Sequence, residues 1–514
     1  MARPILTNVL VLVGAILYNV IFWQEKMGVN TLIFTLFLLG SLYFLNKEAF
    51  QTRSVQITAG GTLLLSLMVV WHNSLIAKTI YTLSFMVCIG LVQRREIRFL
   101  LLAFMVFLSN VFETPIHILN NLKSLPILRG GHGIAKSLKL IFISVLILPV
   151  FYILYYFANP KFSELSDKFW GHVFEWLNFD WNLSRVFFFL GGLMLVGTAL
   201  WKHTRDYFAQ QDNAYAMELD EATYNDEEQQ LRLFDMDEKT TYMSATILVA
   251  LLNIMLFFNN ILDFTYVWLS NKVDKTAAEL KQYVHEGTYF LIAGIVLAIV
   301  VIMYLFKGRV NFLENNKILR GLSYAWIGQN AFLALSVGMR NWEYIDHYGL
   351  AYKRIGVVVF LILVLYGLYL MYVKITEKRT LFHFLTKGSW VIYAVMVAAC
   401  CINWDVFITR YNLTTDTKSH SIDVPFLVRT VSDKNLYLLY ENRAKLIEKM
   451  PNKPFEQEFY WDLNIPNFAN DSLKISYLDR LLEEKKYNFL QEQKFYTAFS
   501  WNFADAKNIS FFKK

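Results

Sequence analysis

Few side chains in this sequence are of a type that does chemistry away from water, and they cluster in two apolar runs. Asn253, Asn260 and Asp263 approximate one stripe of a helix, with Asn259 beside it. Asn110, Glu113 and His117 fall at i, i+3 and i+7, with Pro115 between them. An ionisable residue at membrane depth is costly and generally faces a bundle interior or a water-filled cavity. Both stripes are therefore candidate polar paths for a small solute or ion. Pro115 frees a backbone carbonyl of its helix, and discontinuous helices of this kind hold ion sites in transporters. The plainer readings are preferred. In them the asparagines hydrogen-bond between helices, Asp263 sits near the outer interface, and Pro115 marks an irregular surface turn.

Other chemistries find little support. Gly130-Gly131-His132-Gly133 lacks the Lys-Ser/Thr ending of a phosphate loop and reads as a flexible loop. His285-Glu286 is not followed by a second histidine at the zincin spacing, because Tyr289 stands there. His117, His132, His203, His347 and His383 are scattered, and no GxSxG elbow occurs. Cys88 and the adjacent Cys400 and Cys401 lie in apolar runs and read as packing residues, with neither a disulfide framework nor a CxxC metal spacing. No catalytic residue, metal site or cofactor is expected.

The elements that hold these residues follow from composition. Of 514 residues, 55% are hydrophobic and 18% charged; a soluble chain has about 45–50% and about 25%. Mean hydropathy is +0.35. Lipid is the expected solvent. The net charge of +7 comes from Lys and Arg placed between apolar runs, where they set orientation. No basic stripe interleaved with aromatics suggests nucleic acid. The first run, Ile5–Trp23, is followed by Gln24, Glu25 and Lys26 and not by a small-residue cleavage site, so it reads as a retained span.

Further apolar runs are Asn30–Leu45, Ile57–Trp71, Leu75–Val92, Phe99–Leu119, Leu138–Phe157, Val186–Trp201, Ala245–Trp268, Tyr289–Phe306, Leu322–Gly338, Ile355–Val373 and Val391–Phe407. At about 20 residues per crossing, the expectation is an all-α polytopic bundle of about 11–12 spans. Trp23, Trp71, Trp201, Trp268, Trp390 and Trp404 fit an interfacial aromatic belt. The spanning domain is taken as 1–408, with an acidic cytoplasmic loop at 202–241 containing Asp226-Glu227-Glu228. Residues 409–514 form a small, mainly helical segment outside, with helical periodicity over Leu436–Met450 and Leu473–Gln493 and with Pro451, Pro454 and Pro466 between.

Short basic loops should be cytoplasmic. These are Lys307, Arg309, Lys317 and Arg320, and then Lys374, Lys378, Arg379 and Lys387. Arg94, Arg95 and Arg98 form the strongest cluster, yet the next loop, with Lys123, Arg129, Lys136 and Lys139, is basic too. Both are cytoplasmic only if Phe99–Leu119 does not cross once. Eleven spans, with the N-terminus inside and the tail outside, satisfy the basic loops best. The aromatic stretch Asn159–Leu183, with Phe162, Phe169, Trp170, Phe174, Trp176, Phe179 and Trp181, reads either as an amphipathic segment on the membrane surface or as an ordinary interhelical cap.

Several segments in order resemble a family of bacterial inner-membrane proteins of unknown function, the domains of unknown function numbered 4153 and 4173. They are Phe22-Trp23 with Gly28-Val29-Asn30 and Phe34; Ala158-Asn159-Pro160-Lys161-Phe162; and Glu286-Gly287-Thr288-Tyr289-Phe290, where Glu286 replaces a basic residue. Arg340 with Tyr344, Tyr348-Gly349-Leu350 and Arg354 is similar to a family signature in which Ala351 replaces threonine. Asn403-Trp404-Asp405 with Arg410-Tyr411-Asn412-Leu413 looks like the last-span exit. The resemblance runs from Phe22 to Leu413, and more weakly to Trp501-Asn502, and it implies a membrane protein with no assigned activity.

Physically, Arg340 and Arg354 bracket an outside loop and could pair with Glu343, Asp346 or Asp405, as a salt-bridged junction between bundle and tail. Three functional readings follow: a permease-like transporter; a non-transporting scaffold or envelope-sensing protein that binds an envelope protein through its tail; and, ranked last, a membrane-embedded enzyme built on His285, Glu286, Arg340 and Asp405. The lipid bilayer is the expected partner, and a bacterial plasma membrane the expected location.

Overall fold

Hydrocarbon admits a single chain segment only if its amides bond internally, which makes long apolar runs helices. The computed structural model describes residues 2–123, 148, 151–152, 154–176, 183–202, 206–219, 238–269, 277–306, 316–417, 421–451 and 471–513. These residues are overwhelmingly helical, and eight of their helices are long and apolar enough to cross a membrane. Val29–Leu45 and Phe290–Leu305 are shorter apolar helices.

A first bundle comprises α1 (Ala2–Phe22), α2 (Val29–Leu45), α3 (Arg53–His72), α4 (Leu75–Gln93) and α5 (Leu100–Lys123). Asn73 reverses the chain between α3 and α4 with φ 52°, a left-handed conformation that asparagine tolerates. The Ser74 hydroxyl then caps α4 by accepting from the Ala77 amide at 3.2 Å. After α6 (Pro160–Trp176), α7 (Leu183–Leu200) lies antiparallel to α1. Trp201 Nε1 donates to Asn8 Oδ1 (2.8 Å) at one end of that pair, and Arg185 Nε donates to Asn19 Oδ1 (3.0 Å) at the other. The short α8 (Tyr207–Ala214) covers the start of α5.

A second bundle comprises α9 (Glu238–Asp263), α10 (Ala277–Leu305), α11 (Lys317–Tyr348) and α12 (Tyr352–Thr376), with its own core around Ile295, Ile302, Phe306 and Met371. The next helix, α13 (Leu381–Cys400), returns to the first bundle. There Tyr393 Oη meets Ser84 Oγ at 2.9 Å and His72 Nε2 meets the Cys400 carbonyl at 2.8 Å.

The tail folds as α14 (Trp404–Thr414), a π-helical turn at Phe426–Thr430, α15 (Leu436–Glu441), α16 (Arg443–Glu448), α17 (Asp471–Gln493) and α18 (Phe503–Phe512). Both expected helical stretches of the tail are present, the first broken at Asn442. A third core joins Ile345 and Leu350 of the bundle rim to Leu427, Leu439, Leu478 and Leu481 of the tail.

The bundles have two chemically distinct ends. At the basic end, Arg95 pairs with Glu48 (3.0 Å), Arg98 with Asp212 (2.9 Å), and Arg379 with Glu218. This gathers the α4–α5 link, the α12–α13 link and the segment after α7. The tail covers the other end. Among the described residues, α1 starts beside Trp201 at the basic end, and the tail docks at the far end.

The course of α5 departs from a straight crossing. The helix starts at the basic end, where the Phe99 amide donates to Asp212 Oδ1 (3.0 Å). A straight crossing would carry Thr114 about 20 Å away at 1.5 Å per residue. Instead the Thr114 hydroxyl meets Thr198 at 2.8 Å and His117 stacks on Trp201 at 6.2 Å, still at the basic end. By length and composition α5 qualifies as a span, but through His117 it runs obliquely across this end.

Two expectations are corrected. Trp201 is buried among first-bundle helices and hydrogen-bonded to Asn8, so it does not belong to a lipid-facing belt, whereas Trp71 and Trp268 are exposed. Cys88 and Cys400 are packing residues, but Cys401 is exposed. The aromatic stretch after Asn159 forms α6 with Leu165, Phe169 and Trp170 exposed. Several expectations fall outside the described residues: the glycine loop 130–133, Arg129, Lys136 and Lys139, most of the run Leu138–Phe157, Phe179, Trp181, His203, the acidic run 226–228, Lys307, Arg309, Pro454 and Pro466. The side chains of Lys123, His285 and Glu286 do as well.

Candidate functional site

The Asn253 stripe faces α11 along a continuous seam. Asn253 Nδ2 donates to the Leu322 carbonyl (3.0 Å), and Asn260 Nδ2 donates to the Gln329 carbonyl (3.1 Å). A step of seven residues on α9 matches a step of seven on α11, so the helices run parallel in heptad register, as coiled-coil helices do. Gln329 Nε2 closes the pattern by donating to Asn253 Oδ1 at 2.9 Å. One turn further on, Asp263 forms an ion pair with Arg340, and both are buried. The chain then widens into a π-helix, Phe264–Trp268, a local form frequent at functional positions. Trp268 Nε1 donates to Ser336 Oγ at 3.1 Å and ends the seam.

The seam is only partly satisfied. Asn260 Oδ1, Gln329 Oε1, Asp263 Oδ2 and Ser323 Oγ are buried and meet no hydrogen-bond partner among the described residues. Buried acceptors of this kind are costly unless water or a ligand donates to them. The seam therefore has the chemistry to take up a donor or a small cation.

The second stripe is built differently. Asn110 and Glu113 are buried, Asn110 Nδ2 meets no hydrogen-bond partner among the described residues, and Thr114, between Glu113 and Pro115, donates back to the Asn110 carbonyl at 2.8 Å. Gln93 clamps the end of α7 through the carbonyls of Thr198, Ala199 and Trp201 at 3.0–3.1 Å. This stripe lies at the basic end of the first bundle, and the Asn253 stripe lies in the second. The structure does not bring the two together.

The rim residues have other partners than the spacing suggested. Arg340 reaches Asp263 and not the loop acids. Arg354 Nη1 donates to the Gly349 carbonyl, and its guanidinium lies over the Tyr344 ring at 4.5 Å. The Tyr348 ring packs at a tilt against Tyr344, with centroids 4.7 Å apart. Asp405 accepts from the Tyr352 and Ser432 hydroxyls. Asn403 caps α14 through the Val406 amide (3.3 Å), and Arg410 is exposed on that helix. Asn412 binds the Leu350 backbone twice, at 2.6 and 2.9 Å. Gly349 has φ +79°, and a Cβ there would lie 2.5 Å from Asn412 Oδ1. The turn between α11 and α12 therefore requires glycine.

Sequence reasoning missed the tail dock. Asp505 accepts from Lys26 Nζ at 2.8 Å and also pairs with Lys434. Burial opposes its ionisation, but the two ammoniums outweigh this and hold its carboxyl down at about 2. The Val29 amide donates to the Trp501 carbonyl at 3.0 Å, and Trp71 stacks on Phe503 at 4.8 Å. A Cβ on Gly28 would fall 2.5 Å from the Ser500 carbonyl oxygen. The available signal was the Gly28-Val29-Asn30 motif, a small residue where another backbone approaches. Beyond the dock, a tail cleft of about 560 Å³ is lined by Arg429, Ser432, Asp433, Glu484, Lys485 and Glu492. Burial pushes the Lys485 ammonium down to about 8 while it donates to the Val428 and Val431 carbonyls. Burial pushes the Asp423 carboxyl up to about 6.

Helices of this length and apolarity, with polar groups buried between them, define a multi-pass α-helical membrane protein. Residues 58–442 match the family model described as domain of unknown function (DUF4153), and the chain belongs to that family. No curated protein and no solved structure matches the chain.

Proposed function

We propose that this chain is a membrane scaffold that holds its helical C-terminal segment fixed on one face of a bacterial plasma membrane for a partner protein. The carrying observation is the dock. The tail is fastened to the α1–α2 turn by Lys26–Asp505 and Val29–Trp501, to α3 by Trp71–Phe503, and to the α11–α12 turn by Asn412–Leu350. A segment that only had to be tolerated outside a pore would not need attachment to both bundles. The separation of the two polar stripes supports this reading, since they line no common path. Arg94, Arg95, Arg98 and Arg379 share the end opposite the tail, which favours a cytoplasmic basic end and an extracytoplasmic tail. The cleft beside Lys485 is the proposed contact surface.

A photo-crosslinking residue at Asn488, in that cleft, should give a discrete adduct in intact cells that Lys485→Glu abolishes. Absence of any adduct would overturn the scaffold reading. A second reading, a permease, is favoured by the unsatisfied oxygens of the α9–α11 seam. Ion flux in proteoliposomes that falls with Asn260→Leu would support it, and flux indifferent to the seam would remove it.

A further inference from the structure

One face of α3 carries exposed apolar side chains along its whole length. Ile57, Leu64, Leu67 and Trp71 fall at i, i+7, i+10 and i+14, which puts them on one side of a helix, and all four are exposed. The stripe runs about 21 Å at 1.5 Å per residue, most of a hydrocarbon core of about 30 Å. On a helix long and apolar enough to cross a membrane, such a stripe is the lipid face. Trp71 closes it at the tail end, where tryptophan marks the level of the headgroups.

The stripe does not stop at Trp71. The Phe503 ring of the tail stacks on it, with centroids 4.8 Å apart and planes 18° apart. The backbone presents that ring outward. Trp501 (φ −56°, ψ 135°) and Asn502 (φ −145°, ψ 153°) are extended, so successive side chains point to opposite sides. Asn502 points inward, is buried, and caps α18 by accepting from the Asp505 amide at 2.9 Å. Trp501 and Phe503, on either side of it, are 48% and 44% exposed. The segment is held in place, because the Trp501 carbonyl accepts from the Val29 amide and Phe499 packs on the first-bundle core. Single exposed apolar residues are ordinary, but a contiguous patch marks an interaction surface.

We propose that Trp501 and Phe503 form a membrane-interface anchor, through which the C-terminal segment touches bilayer lipid directly. The occupant is lipid because the patch continues the lipid face of α3 and because an interface favours an indole, with its apolar body and polar N–H. The start of the tail's last helix then rests at headgroup level and does not stand off the bilayer. Lipid becomes one of the tail's attachments, alongside the contacts to both bundles. The inference stands whether or not the tail serves a partner protein.

The test uses the full chain in lipid nanodiscs, with a nitroxide on Trp501→Cys in a Cys401→Ser background; Cys88 and Cys400 are buried. Leu64→Cys on the α3 stripe gives the lipid reference, and Tyr487→Cys, at a position 63% exposed on α17, the reference in water. Collision rates with oxygen and with a water-soluble nickel chelate should place the Trp501 label about 5–10 Å into the headgroup–acyl boundary, with chelate collisions reduced toward the Leu64 level. Chelate access equal to that at Tyr487 overturns the proposal. Shielding from both reagents overturns it too, since a protein surface would then cover the patch. A benzophenone side chain at Trp501 keeps the native cysteines and gives a second readout. Irradiation should yield a lipid adduct by mass spectrometry, and its absence beside an adduct at Leu64 counts as the same failure.

Discussion

The two helical bundles hold themselves together with different polar chemistry. In the first, hydroxyls do most of the work. Thr35 meets Tyr81 at 2.7 Å, Thr62 meets Ser84 at 2.7 Å, and Thr114 meets Thr198 at 2.8 Å. Each threonine also bonds the carbonyl one turn back on its own helix, so both halves of the hydroxyl are used. In the second bundle the α9–α11 seam uses amides, a carboxylate and a guanidinium. An amide oxygen cannot rotate into a donor, and two amides, Asn260 and Gln329, and the Asp263 carboxylate each leave an acceptor unmatched. The hydroxyl pairs satisfy themselves, whereas the amide and ionic seam leaves acceptors open to water, a cation or a proton. The first bundle leaves buried polar atoms unmatched too, Asn73 Oδ1 and Asn110 Nδ2 among them, but outside its hydroxyl pairs, so the contrast lies in the kind of pairing.

The comparison is broken most severely at Asp263. Asp263→Ala strands the Arg340 guanidinium in a buried site and should cost about 3–5 kcal/mol in detergent unfolding. The double change Asp263→Leu with Arg340→Met should recover most of that loss, because desolvation of both charges disappears. A double variant no better than the single one would mean that the pair does more than neutralise charge.

The tail dock carries the same ionic chemistry outside the membrane-spanning helices, which makes it accessible to pH. Asp505 is depressed to about 2 from an ordinary value of about 3.9. Its contribution, on the order of 2 kcal/mol, should be complete above about pH 4 and lost as pH falls through about 2. Asp423 acts in the opposite sense, being raised to about 6 by burial. Its contribution is complete below about pH 4 and lost as pH rises through about 6. Asp423→Asn should therefore flatten the decline over that window and stabilise the tail at pH 7 by about 1–2 kcal/mol. Thermal melts across pH 2–8 test both, and a flat profile for either residue removes its assignment.

The smallest effect is expected in the hydroxyl bundle. Thr62→Val should cost about 0.6 kcal/mol, the average for interhelical hydrogen bonds in membranes. A loss several times larger would show that these hydroxyl pairs belong to a larger coupled polar network, and the contrast in pairing chemistry would fail.

Part of this was legible in the sequence. The stripe at Asn253, Asn260 and Asp263 follows from the helical repeat, and it does face a neighbouring helix. The two consecutive basic loops drew attention to 99–119, where α5 carries Pro115 within a helix that still has the length and composition of a span. The pairing of Arg340 was misread for a physical reason. It stands about 12 Å before the end of α11 at 1.5 Å per residue, and helical side chains lean toward the N-terminus. It therefore reaches down into the seam and not out to the loop. Gln329 was not singled out, because one amide in an apolar run is unremarkable until its partner is known.

The sequence by itself determined that the chain is a set of helices in lipid, because hydrocarbon penalises any backbone amide left unbonded and the apolar repeat records this residue by residue. It also determined which faces carry polar groups. Only the tertiary structure decided what those faces meet: Gln329 against Asn253, Arg340 against Asp263, and the tail's Asp505 between Lys26 and Lys434. These partners lie tens to hundreds of residues apart, and no local periodicity constrains a distance of that kind. Helix packing and chain topology do.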